Sequence, residues 1–134
     1  MIKIKGFTLP EVVITIAIVG ILSLAAVPIY RGYVRKAMAT EGKALLAEID
    51  AAQKIYHARN GVFYEPSSSD KKESYNTKFG VDARTNKYFT VYKITTGDDD
   101  TFTATIGESD DKALILRGSL TAEPQIIDKY SLED

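Results

Sequence analysis

Few side chains in this sequence are of a kind that does chemistry, and their spacing narrows the choice further. His57 is the only histidine, which excludes a histidine-pair metal site and leaves a serine-histidine-aspartate triad one candidate base. With no second histidine and no adjacent nucleophile, it reads as a surface residue of a helix. The absence of cysteine removes disulfides, thiolate metal sites and thiol nucleophiles. Asp98, Asp99 and Asp100, with Asp110 and Asp111, supply the hard oxygen ligands that calcium takes, but neither run has an ion-loop spacing. No catalytic residue, metal or cofactor is expected, and the chain does not read as an enzyme. What remains is Glu11, the single charge in an apolar stretch from Phe7 to Tyr30. A charge at the centre of a membrane helix costs roughly 2.5–3.5 kcal/mol, and less near the interface. Two readings offset that cost for Glu11: headgroup-level placement near a helix N-terminus, where the macrodipole favours an anion by about 0.3–1 kcal/mol, or a specific partner.

The element that must carry Glu11 is a helix. Over Phe7 to Tyr30 it would be about 36 Å long, enough to cross a hydrocarbon core. Lys3 and Lys5 precede this stretch and Arg31, Arg35 and Lys36 follow it, so charge orients it poorly. Ala25-Ala26-Val27 loosely resembles the end of an ordinary secretory signal, a reading that leaves Glu11 unexplained.

The run Gly6-Phe7-Thr8-Leu9-Pro10-Glu11-Val12-Val13-Ile14, continued by Gly20-Ile21-Leu22 and Ala25-Ala26-Val27-Pro28, resembles the prepilin signature of type IV pilins and pseudopilins. The resemblance implies cleavage between Gly6 and Phe7 by a prepilin peptidase, methylation of the new Phe7 amine by the same enzyme, and retention of the helix. It implies that Glu11 meets the Phe7 amine of a neighbouring subunit, and that Gly20–Pro28 unwinds when subunits pack; a static kink at Pro28 is the alternative. A lone buried charge is far more costly than a paired one, so such a pair would set axial register. Pro10 departs from the common Ile or Leu, but it falls in the first helical turn, where its missing amide has no helical partner to lose.

Beyond Pro28 the pattern turns amphipathic, with Val34, Met38, Leu45, Ile49, Ala52 and Tyr56 on one face. Asn60-Gly61 is a stop signal, so the helix is expected from about Thr8 to about Arg59. The phrase from Ile55 to Tyr64 with Pro66 resembles the helix end and aromatic turn of many pilins. Residues 65–87 read as a long exposed connection, in which Ser67-Ser68-Ser69 is either a glycan site or a solvated loop. Strands are expected over 88–95, 101–106 and 113–117, with a fourth at 125–127. The expected fold is α+β: a long N-terminal helix, its apolar half protruding, packed on a three- to four-stranded antiparallel sheet as in type IV pilins.

The division expected is a leader over 1–6, an apolar membrane or filament-core segment over 7–30, and a globular head over 31–134. At 134 residues the chain holds one head and little more, and a net charge of -1 gives no basic field for nucleic acid. The family implies a pilus subunit in a helical homopolymer, held first in the inner membrane and then on the cell surface. Its partners would be the peptidase/N-methyltransferase, the pilus assembly platform and minor pilins. A type II secretion pseudopilin or a minor pilin is the alternative, though the tryptophan-containing calcium loop of the major pseudopilins is missing. A single-pass anchor bearing a binding head would have no use for Glu11 or Pro28. Phe7, Tyr30, Tyr33, Tyr56, Phe63 and Tyr64 resemble aromatics proposed to conduct electrons, but contact packing accounts for them without further assumption.

Overall fold

In the computed structural model, residues 6–67, 72–97, 100–109 and 112–130 are described. The expectations for Ser68, Ser69, Asp98, Asp99, Asp110 and Asp111, and for the leader before Gly6, concern residues outside them. One helix, α1 (Leu9–Asn60), precedes four strands, β1 (Tyr92–Gly97), β2 (Thr101–Ser109), β3 (Lys112–Ser119) and β4 (Gln125–Asp128). The chain divides into two compact units, one running to Lys36 and one from Ala37. The first carries the apolar part of α1, whose large side chains, among them Leu9, Ile16, Leu22 and Leu24, are exposed. By length and composition α1 suffices to cross a membrane.

The second unit is built on a meander, all antiparallel, in the order β1-β2-β3-β4. Alternation puts Tyr92, Ile106 and Leu114 in one cross-strand row and Ile94, Ala104 and Leu116 in the next, all buried. Leu45, Leu46 and Ile49 of α1 complete this core, with Met38, Ala52 and Tyr56 partly buried against it. The α+β class is therefore the one expected. The amphipathic face holds for Leu45 and Ile49, and it also includes Gly42, Leu46 and Gln53.

Three expectations are corrected. The first strand begins at Tyr92 rather than at residue 88, because the amides of Lys87, Tyr88 and Phe89 donate to the Glu41 carboxylate at 3.0, 2.7 and 3.0 Å. The connection is not simply exposed: Phe79, Val81 and Ala83 are buried, Glu73 and Tyr92 exchange backbone hydrogen bonds, and Tyr75 bridges to Asp82. His57 is only partly at the surface. Its side chain is 17% exposed, and its ring lies 4.8 Å from that of Phe63.

Gln53 is fully buried, and both ends of its amide are used: Nε2 donates to the Tyr64 carbonyl (2.9 Å) and Oε1 accepts from the Tyr64 amide (2.8 Å). The turn after α1 is thereby held as a strand neighbour would hold it. At the β2–β3 register shift, Gly107 has φ +138°, and a methyl there would collide with the Lys112 carbonyl. Gly107→Ala should destabilise the second unit by about 2 kcal/mol, read as a lower urea midpoint with unchanged slope.

Candidate functional site

Helix α1 begins at Leu9, which makes Thr8 its N-cap and Glu11 the third helical residue. Glu11 Oε2 accepts hydrogen bonds from the Thr8 amide at 2.7 Å and from the Thr8 hydroxyl at 2.5 Å. This is the reciprocal half of a capping box, for which Thr-x-x-Glu is the sequence signature. Thr8 is the participant that sequence reasoning missed, although the signature was legible. Both bonds fall on one oxygen, and among the described residues no donor reaches Oε1. The capped carboxylate is thus restrained in direction while half of its accepting capacity stays open.

Gly6 and Phe7 lie in non-helical backbone immediately before this cap, and both are exposed, Phe7 at 89%. An accessible, non-helical peptide bond is what a peptidase needs. Cutting it would leave the Phe7–Thr8 bond intact, so the Thr8 amide and the capping box would survive. The new amine would be a cation at neutral pH, placed where the positive end of the helix dipole disfavours it. Pro10 sits in the first turn, as expected.

Further along the same helix, the Thr15 hydroxyl donates to the Glu11 carbonyl and the Ser23 hydroxyl to the Val19 carbonyl, both at 2.7 Å. These bonds satisfy polar groups that lipid would leave unpaired. The helix continues through Gly20 and Pro28. Nothing lies within 4 Å of the position a side chain would take at Gly20, and Pro28 has no amide to offer the carbonyl one turn before it. The structure therefore brings Thr8 and Glu11 together beside Gly6-Phe7, and sets Gly20 and Pro28 apart on the same element.

In the second unit the aromatics pack on one another. Phe63 meets Phe102 at 5.1 Å and Tyr64 stacks on Phe79 at 4.7 Å. The Tyr64 hydroxyl donates to Glu73 and accepts from Asn76, and desolvation followed by the Glu73 bond pushes its pKa upward. Packing accounts for these rings without electron transfer. Among the described residues, no three His, Cys, Asp or Glu side chains gather as metal ligands.

Comparison with known proteins gives two family matches. Residues 1–27 match the prokaryotic N-terminal methylation motif, and residues 28–113, well over half of the chain, match the family described as type IV minor pilin ComP, DNA uptake sequence receptor. The chain is 40% identical over 72 residues to the type IV major alpha-pilin of Moraxella bovis, covering 51% of this chain and 44% of that one. It is 38% identical over 65 residues to the type IV major pilin protein PilE of Neisseria gonorrhoeae, covering 48% and 39%. With the type IV major fimbrial protein FimA of Dichelobacter nodosus it shares 49% identity over 41 residues, 31% of this chain and 26% of that protein. The chain thus spans less than half the length of these relatives.

Proposed function

This chain belongs to the type IV pilin family, and we propose that it is a structural subunit of a pilus, made as an inner-membrane precursor and assembled through its N-terminal helix. Prepilin peptidase cuts between Gly6 and Phe7 and methylates the Phe7 amine. The assembly platform then draws the subunit into a helical homopolymer, in which Glu11 accepts the Phe7 ammonium of a neighbour and Gly20–Pro28 loosens as helices pack. The leader is 1–6, the filament-core segment 7–30 and the head 31–134. The observation that carries the reading is Glu11: one carboxylate in an apolar helix, held by Thr8 through Oε2, with Oε1 left for an external cation. Methylation keeps the charge that this pairing needs.

The test is intact-mass analysis of the mature protein, expected to begin at Phe7 with one added methyl group. A start at Met1, or one near Val27, would overturn it. Gly6→Leu should leave unprocessed precursor in the membrane, whereas normal processing of that variant would argue against the peptidase. A pseudopilin would be processed in the same way but would not extend long surface fibres.

A second reading comes from the words of the matched family, a receptor for DNA. In its favour, the match runs through most of the head. Against it stand the net charge of -1 and the pairing of Lys54 with Asp50 and of Arg84 with Asp82. Retention of labelled duplex DNA that weakens steeply with salt would favour the receptor.

A further inference from the structure

The last turns of α1 and the segment 78–81 enclose an open groove of about 660 Å³. Its apolar surface comes from Ala52, Ile55 and Phe79, with Ile55 54% exposed. Arg59 and Lys78 also line it, both exposed, and neither has an ion-pair partner among the described residues. His57, two residues from Arg59, points about 200° away around the helix. There it faces Asp100, which lies 3.8 Å from Nε2 with its side chain 76% exposed. Asp100 adopts φ 51° and closes the sequence run Asp98-Asp99-Asp100. The two flanks of the helix end thus carry opposite charge.

We propose that this groove receives Asp100, immediately before β2, of a second copy of the chain, where it meets Arg59 and Lys78. Different patches on the two partners make a heterologous contact, which propagates into an open helical array rather than closing as a dimer. The proposal rests on the reading of the chain as a filament subunit. It adds a head-to-head contact to the helix core and gives Asp100 and Lys78 a shared role. A second copy is favoured over a phosphate backbone because the surface between the cations is apolar, which a packed protein surface fills and a hydrated phosphate backbone does not.

The test uses the full chain in cells that assemble it, comparing Lys78→Gln, Arg59→Gln, Asp100→Asn and the pair Lys78→Gln with Asp100→Asn. All three positions are exposed, and asparagine tolerates the left-handed backbone at position 100. Each single change should lower recovered filament about two- to fivefold, more so at low salt, as an exposed ion pair allows. The double variant should be no worse than the weaker single, and Lys78→Arg should keep the wild-type yield. Additive losses in the double variant, or unchanged yield in the singles, would overturn the contact. So would singles that assemble normally but no longer retain duplex DNA, since the cations would then be reading phosphate. Absence of filaments from the unsubstituted chain would instead sink the subunit reading itself.

Discussion

Glu11→Ala is expected to leave the chain inserted and its head folded while filament yield falls at least a hundredfold. The ammonium of Phe7 in a neighbouring subunit would then be buried in an apolar core with no counter-charge, and removing one partner of a buried pair costs about 3–5 kcal/mol. The capping box allows a finer dissection. Glu11→Gln keeps a carbonyl oxygen for the Thr8 amide and hydroxyl but has no charge, so it should retain the start of the helix and still fail to assemble. Thr8→Val keeps the charge and loses the hydroxyl donor, so it should assemble with a milder defect. Electron microscopy of sheared fibres, with head folding checked by circular dichroism, separates these outcomes. Wild-type fibre yield from Glu11→Gln would show that register does not depend on the charge, and loss of the protein itself would move Glu11 into folding.

Glu41→Ala should destabilise the head by about 3 kcal/mol, the largest loss expected from any one polar side chain there, because three backbone amides lose a charged acceptor together. Desolvation pushes the Glu41 pKa up, but the bonds from Tyr88, Phe89 and Lys87, with the Lys87 charge, outweigh it and hold the group below its ordinary value. A depressed carboxylate pKa fixes the sign. The stabilisation is complete above the ordinary glutamate value of about 4.3 and is lost as pH falls through the lower folded value. Asp82, drawn down to about 2 by its Arg84 hydrogen bond, titrates lower still. Urea unfolding of Glu41→Ala should therefore show a lowered midpoint at neutral pH and a shallower acid loss than the unsubstituted protein. An identical acid profile in both would remove Glu41 from the linkage.

The parts of the molecule that depend on near neighbours in sequence were legible before any coordinates. Thr8 to Glu11 and Asn60-Gly61 bracket α1 because caps are local chemistry, and β2 and β3 followed from short runs of β-branched, aromatic and apolar residues between turn signals. Glu11 stood out as a lone charge in an apolar run. What escaped was set by distant partners. The start of β1 moved because Glu41, on α1, takes the amides of 87–89. The partial cover of His57 comes from Phe63 and Asp100, both beyond the helix. Phe79, Val81 and Ala83 do alternate, but within a polar stretch too short to announce a buried segment, and the rings against Phe79 are those of Tyr64 and Tyr92. Gln53 reads as one more polar helix residue until its bonds to Tyr64 give it an interior place.

The order of the sheet carries a kinetic consequence. Every ladder in it joins strands adjacent in sequence, so each pairing closes only a short loop and loses little chain entropy in doing so. Contact order within the meander is low for a β structure, and without cysteine no step waits on an oxidant. The slow event left is the long closure that brings Leu45, Leu46 and Ile49 onto Ile94, Ala104 and Leu116, a separation of roughly fifty to seventy residues. The nucleus of the head should therefore be the meander, with the helix captured late, which keeps α1 available to other partners until the sheet behind it has formed.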